Sequence, residues 1–133
     1  MIHKKEMEFG KQNEKLILEK LNEYFKSDIK LSENDFEKYD GIDENNIYEI
    51  KTRRIIKNAY STTLLTYHKI IDNDIDKPLI IIFNFVDYIC YIKYDEEKFN
   101  TYEKKLFCRG RVGEQYKDHL FIPVSDLTII CKK

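Results

Sequence analysis

Proline and glycine are scarce in this 133-residue chain, with two Pro and four Gly. That scarcity leaves no flexible linker and no low-complexity tract. No repeat recurs at a fixed period, so a solenoid or propeller array is excluded. Cysteine occurs only at Cys90, Cys108 and Cys131, an odd and widely spaced set. Such a set fits neither a disulfide framework nor a zinc motif, and a reducing intracellular compartment is the expectation. Long hydrophobic runs are also missing. The longest, Leu79 to Phe83, falls far short of the ~20 residues that cross a bilayer. The opening Met-Ile-His-Lys-Lys-Glu carries charge with no apolar core behind it, so no signal peptide is expected. A P-loop, a zinc motif and a Ser/Cys–His arrangement are all lacking, which leaves little support for the hydrolase mechanisms built on them.

What is present reads as one folded domain spanning residues 1–133, with 42% hydrophobic and 35% charged residues. The net charge of −1 argues against a strong polyanion binder, but its distribution is uneven. From Glu33 to Glu49 there are seven acidic residues and one basic one, Lys38; from Lys51 to Lys69 there are five basic residues and no acidic one. An acidic stretch running into a basic one suits a cation site beside a phosphate track. Two solvated surfaces of opposite sign would give the same pattern.

Hydrophobic periodicity predicts an amphipathic helix over residues 9–26, with Phe9, Gly10, Glu14, Ile17, Leu18, Leu21 and Phe25 on one face. Glu14 is the unexpected member of that stripe. Asp28 to Leu31 reads as a short strand, and Phe36 to Asp40 as a second that ends at Gly41. A third runs from Asn46 to Arg54, joined to the second by a short polar link that implies an antiparallel hairpin. Residues Ser61 to Ile71 read as a second helix, capped by Ser61, with Leu64, Leu65, His68 and Ile71 as its stripe. Pro78 opens an apolar strand, Leu79 to Phe85, buried on both faces and hence central. Tyr88 to Tyr94 alternates as its partner. Residues 95–117 look polar and irregular, with a helical turn within Glu96 to Lys105. His119–Val124 and Leu127–Cys131 are short apolar segments, the first kept at an edge or at its terminus by Pro123. This order predicts an α/β fold with a mixed sheet.

The chemistry concentrates in Tyr39-Asp40-Gly41-Ile42 and Ile47-Tyr48-Glu49-Ile50-Lys51. Side chains alternate along a strand, so Glu49 and Lys51 share one face while Tyr48, Ile50 and Thr52 share the other. The hairpin brings Asp40 towards Glu49. Two carboxylates at close range repel unless a cation or a shared proton lies between them. Mg²⁺ takes oxygen ligands and is commonly held by one or two carboxylates plus substrate phosphate. It would polarise a scissile phosphate and acidify water, while Lys51 could hold that water and stabilise developing charge. The backbone carbonyl of Ile50 is a further candidate ligand. The structural alternative makes Glu49 and Lys51 a surface salt bridge and Asp40 a turn residue before Gly41.

With these residues and this element order, the chain resembles the PD-(D/E)xK nuclease superfamily. Asp40 and Glu49-Ile50-Lys51 occupy the family's motif positions, although Tyr39 stands where the name has proline. The resemblance implies a restriction-endonuclease-like αβββαβ core, a mixed central sheet flanked by helices. Gly10-Lys11-Gln12-Asn13-Glu14 is similar to the pattern in archaeal Holliday-junction resolvases, where a first-helix glutamate helps hold metal. Glu49-Ile50-Lys51-Thr52-Arg53 followed by Tyr60-Ser61-Thr62-Thr63-Leu64 resembles small phage and large-DNA-virus members, in which the second helix lines the active site.

The resemblance implies a DNA phosphodiester hydrolase, endonuclease or exonuclease, that uses Mg²⁺, with Mn²⁺ able to substitute. It implies 5′-phosphate and 3′-hydroxyl product ends. Asp40, Glu49 and Lys51 would be catalytic, and Glu14, Asp40, Glu49 and Ile50 would hold the metal. DNA contacts are expected from Arg53, Arg54, Lys57, Tyr60, Thr63 and Lys69. Structure-directed cleavage, of branched or nicked DNA, is favoured over sequence-specific restriction, because the chain has no room for a recognition domain. A homodimer fits members of this size. No organic cofactor and no membrane association are expected, and the location would be cytoplasmic or nuclear, within the host cell if the protein is viral.

The rival reading is a non-catalytic module that keeps the fold and binds nucleic acid or protein, and the near-neutral charge favours it. His68 reads as a core histidine on the second helix, while His3 and His119 have no neighbours that suggest a ligand set. Arg109 and Arg111 lie in a glycine-containing loop that could clamp a backbone or be plain surface. Tyr88, Tyr91, Tyr94, Tyr102 and Tyr116 could stack unpaired bases, but serve equally as core and sheet-face residues.

Overall fold

The computed structural model describes residues 2–32, 39–67, 76–108, 113 and 115–133, and in the first helix it describes side chains from Glu14 onward. Helix α1 (Ile2–Phe25) is followed by strands β1 (Lys30–Leu31), β2 (Gly41–Ile42) and β3 (Ile47–Thr52). Then come β4 (Thr62–Thr66), β5 (Leu79–Asn84), β6 (Tyr88–Lys93), a short helix α2 (Glu96–Phe99), β7 (Glu103–Phe107), β8 (Lys117–Pro123) and β9 (Thr128–Lys132). The strands make two sheets. The larger has the order β1-β2-β3-β5-β6-β9 and the smaller β4-β8-β7. β3 and β5 run parallel and every other described pairing is antiparallel, so the larger sheet is mixed.

β5 is the centre of the molecule. Every one of its residues is buried, and Ile81, Ile82 and Phe83 are 0% exposed. Fully burying side chains of this kind contributes about 1.5–3 kcal/mol each, so this strand anchors both layers. On one face Tyr48, Ile80, Ile82 and Ile89 pack against Ile17 and Leu21 of α1. On the other, Ile47, Leu79, Ile81 and Phe83 pack against Leu65, Leu120 and Ile122 of the smaller sheet. The result is a helix, a mixed sheet and a second sheet, stacked in three layers.

Local signals explain several boundaries. The apolar stripe of α1 ends at Phe25, and Lys26 turns left-handed (φ 49°), the conformation that commonly closes a helix. Asn22 then accepts a hydrogen bond from the Ile29 backbone N–H at 2.7 Å. Asp95 caps α2, its carboxylate accepting from the backbone N–H of Glu97 at 3.0 Å and of Lys98 at 3.4 Å.

The structure corrects three expectations. Residues 62–66 of the predicted second helix form a strand, with Thr63 and Leu65 buried and their neighbours half-exposed. A Thr-rich stretch with that alternation suits a pleated surface, and β8 supplies the partner that a helix would lack. Within the polar stretch 95–117, Glu103–Phe107 is a strand, β7, paired with β8. The described second strand of the hairpin starts at Gly41 rather than ending there. It follows that the face carrying Glu49 is covered by a sheet, not by a helix. Phe36 to Lys38, His68, Lys69, Ile71, Arg109 and Arg111 lie outside the described residues. Among the described residues, no helix is long and apolar enough to cross a membrane.

Candidate active site

The hairpin that carries the candidate residues is organised by Asp43. One of its oxygens accepts from the backbone N–H of Asn45 at 2.9 Å and of Asn46 at 2.6 Å. The other accepts from Ser27 Oγ at 2.7 Å and from Tyr48 Oη at 2.6 Å. Lys77 Nζ donates to the Asp43 carbonyl at 2.8 Å. Partial burial works against the carboxylate's charge, but the bonds from Tyr48, Ser27, Asn46 and Asn45 outweigh it and hold the pKa below the ordinary value. Burial and the bond to Asp43 push the Tyr48 phenol up. Gly41 lets the strands close tightly, because a Cβ there would stand 3.2 Å from Ile29 Cγ2.

The register follows from this turn. Gly41 faces Tyr48 and Ile42 faces Ile47, which leaves Asp40 one residue beyond the last paired position, at the Glu49 end of the ladder. The backbone N–H of Asp40 donates to Tyr48 O at 2.9 Å, and the backbone N–H of Ser32 donates to Asp40 O at 2.9 Å. Beyond Asp40 the ladder continues through a side chain: Asp40 Oδ2 accepts from the Ile50 backbone N–H at 2.7 Å. A residue's N–H and C=O leave a strand on the same side, so the Ile50 carbonyl also faces Asp40's side of β3.

Glu49 and Lys51 project from the face opposite Tyr48 and Ile50, as their alternation requires. Glu49 is 4% exposed, and Lys51 Nζ stands 3.1 Å from its Oε1. A buried carboxylate needs such a partner, since an uncompensated charge in that position costs several kcal/mol.

Glu14 is exposed on α1, one turn before Ile17. α1 packs on the Tyr48 and Ile50 face, so Glu14 lies across the sheet from the Glu49–Lys51 pair. No group of three or more His, Cys, Asp or Glu side chains suited to a metal occurs among the described residues. The oxygen donors that the hairpin does assemble are the Asp40 and Glu49 carboxylates and the Ile50 carbonyl.

Beside Lys51 a cavity of about 260 Å³ opens between the end of β3 and the outer edge of β4. Arg53, Tyr60, Thr63 and His119 are among its walls. Arg53 Nη2 donates to the Leu64 carbonyl. The expected contributions of Tyr60 and Thr63 therefore come from β4 and the segment leading into it. Arg54 is exposed and is not a wall of this cavity. Lys57 is half-buried, with its backbone N–H bonded to Asp87 Oδ1 at 2.8 Å.

His119 is the residue that sequence reasoning missed. It is 7% exposed. Its Nδ1 lies 2.8 Å from Lys117 O, and its Nε2 lies 3.4 Å from Thr66 Oγ1. A carbonyl only accepts, so Nδ1 carries the proton and the Thr66 hydroxyl donates to Nε2. Nothing in the local sequence marks it, because Thr66 reaches it only through the β4–β8 pairing. Comparison with protein-family models, with curated proteins and with solved structures gives no match for this chain.

Proposed function

We propose that the chain is a metal-dependent deoxyribonuclease whose active site is formed by Asp40, Glu49 and Lys51. One observation carries the reading: Asp40 bonds the backbone N–H of Ile50, the residue between the ion-paired Glu49 and Lys51, and Lys51 lines a cavity of cations and hydroxyls.

The donor set suits Mg²⁺ or Mn²⁺. Asp40, Glu49 and the Ile50 carbonyl are hard oxygen ligands, fewer than a full shell, which matches an ion that keeps waters and shares a substrate phosphate. When bound, the ion would neutralise phosphate charge and lower the pKa of water. The protein's own groups do the rest. Lys51 holds the attacking water and offsets charge developing on the phosphate. Arg53 stands next along the chain to receive the neighbouring phosphate, and Arg54 and Lys57 extend the basic surface. Asp40 keeps its geometry through the Ile50 N–H, which fixes a carboxylate that would otherwise be free to rotate. Glu14 enters as an assisting ligand only by reaching past the sheet edge. Lys69, DNA as substrate and a homodimer belong to the same proposal.

The second reading, a binding module that retains the nuclease-like hairpin, is favoured by one feature. The charged groups satisfy one another, Glu49 with Lys51 and Asp40 with the Ile50 N–H. Nicking of supercoiled plasmid separates the two readings. The nuclease cuts with Mg²⁺ or Mn²⁺, loses activity in EDTA, and loses it by at least ~100-fold in Lys51→Ala, the scale of one lost charge-stabilising donor. Cleavage that persists in both controls, or no cleavage of any DNA, would sink the proposal.

A further inference from the structure

The cavity beside Lys51 has a composition that a phosphate track alone does not require. Lys51 and Arg53 bring positive charge to it, and Thr62, Thr63 and Thr66 bring hydroxyls. Among the described residues that line it there is no carboxylate.

The backbone adds donors. Tyr67 N–H donates to Asp118 O at 2.9 Å and Val124 N–H to Ser61 O at 2.9 Å, so the odd-numbered residues of this stretch turn their backbone groups to β8. Alternation then turns the N–H groups of Thr62, Leu64 and Thr66 to the outer edge of β4, where Arg53 meets the Leu64 carbonyl. β4 is an edge strand of the smaller sheet, so these N–H groups face the cavity.

The walls also include apolar surface. Tyr60 is 67% exposed and Ile55 38% exposed. Ile55 is held in place by its carbonyl, which accepts from the Val86 N–H at 3.0 Å. An exposed aromatic ring beside cations and donors is the arrangement that stacks a single base while its phosphate is neutralised. The volume of about 260 Å³ falls just below the ~300–1,000 Å³ of ordinary small-molecule sites. A space of this size suits a single nucleotide.

We infer that this cavity takes a single unpaired nucleotide, with its phosphate on Lys51 and Arg53 and its base against Tyr60. Resting on the proposed nuclease activity, this makes the substrate DNA with an unpaired nucleotide at the cut, such as a single-stranded end, a flap or a branch point. Continuous duplex is disfavoured, because a base would have to leave its stack at a cost on the order of a few kcal/mol. The Thr66 hydroxyl, beside His119 at the cavity wall, offers an acceptor to the base or sugar.

The test separates this inference from the nuclease reading by working first without metal. Deoxythymidine 5′-monophosphate is titrated into the ¹⁵N-labelled protein in EDTA, with inorganic phosphate and thymidine as parallel probes. The nucleotide should shift the backbone amides of Thr62, Leu64 and Thr66. Tyr60→Ala, an exposed position, should weaken nucleotide binding by about 5- to 100-fold, the scale of one lost stacking contact, and leave inorganic phosphate binding unchanged. Amides that do not move, or nucleotide binding no tighter than inorganic phosphate and indifferent to Tyr60→Ala, would overturn the inference. Cleavage assays then compare flapped with fully paired DNA. A preference for the flap that Tyr60→Ala removes supports it, and equal cutting of both by the unmodified protein overturns it while leaving the nuclease reading intact. Nucleotide binding without any cleavage would instead refute the nuclease and leave the cavity as a nucleotide site.

Discussion

The Asp40 carboxylate accepts a hydrogen bond from the backbone N–H of Ile50 at 2.7 Å. It does so where the β2–β3 ladder would otherwise end, one residue past Gly41 and Tyr48. A side chain thus extends the strand pairing to Ile50, the residue between Glu49 and Lys51. The bond separates structural from chemical roles at this position. Asp40→Asn keeps an acceptor oxygen and should change stability by less than about 1 kcal/mol, yet lose cleavage. Asp40→Ala leaves the Ile50 N–H without its acceptor and should cost about 1–3 kcal/mol. Urea unfolding of both variants, read with plasmid nicking, checks this; an Asn variant as unstable as the Ala variant would refute it.

Glu49, buried, and Lys51, half-buried, form an ion pair, and removing one member should cost more than removing both charges. Lys51→Met leaves Glu49, at 4% exposure, without its ammonium, and is expected to destabilise by about 2–4 kcal/mol at neutral pH, towards the lower part of the range for broken buried pairs because Lys51 keeps some solvent contact. The double variant Glu49→Gln/Lys51→Met should recover at least half of that loss while remaining inactive. A double-mutant cycle by chemical denaturation measures the coupling, and additive losses would contradict the buried-pair account.

Asp43 predicts an acid limb in the stability profile. Its folded-state pKa lies below the ordinary aspartate value, so the folded state favours the ionised form. That contribution is complete above the unfolded value and is lost as pH falls through the lower folded value. Asp43→Asn should flatten the stability curve below about pH 4 and cost on the order of 2 kcal/mol at pH 7, where charged hydrogen bonds are replaced by weaker ones. Thermal unfolding between pH 2.5 and 7 reads both effects. An unchanged acid limb would show that other carboxylates set it.

Cys90 is 0% exposed, and burial, opposed by the Lys57 ammonium and reinforced by Asp87 and Cys131, pushes its thiol up to about 11. Two units of pKa remove about 99% of the thiolate relative to an ordinary cysteine. Iodoacetamide at pH 8 should therefore modify Cys108 and Cys131 at least ~100-fold faster than Cys90 in the folded protein, and all three at similar rates in urea. Peptide mass mapping over time gives the rates.

Much of the candidate site is legible before any coordinates because it lies within a dozen consecutive residues. The order Asp40-Gly41 followed by Glu49-Ile50-Lys51 places three charges on one hairpin, and strand alternation alone assigns Glu49 and Lys51 to a shared face. The α1 stripe and the unbroken apolar run of β5 are legible for the same reason, since each is a local pattern with its own period. β4 and β7 were misread because Thr62–Thr66 and Glu103–Phe107 have little pattern of their own and become strands only when β8 runs between them. Tyr60 and Thr63, expected as DNA contacts from a second helix, line the cavity from β4 and the segment leading into it. His119 has no local mark of a role, because Thr66 and the cavity it shares with Lys51 are remote in the chain.

Local spacing by itself therefore determined the first helix, the central strand, the hairpin and the face that carries its charges, because hydrogen-bond and side-chain periods act over a few residues. Tertiary structure alone decided which layer covers that face, that Asp40 bonds the Ile50 N–H, that Glu14 stands across the sheet from Glu49, and that a cavity opens beside Lys51. Those outcomes depend on strand pairing between distant segments, whose energy comes from burying both sheets against one another and leaves no mark in any short window of sequence.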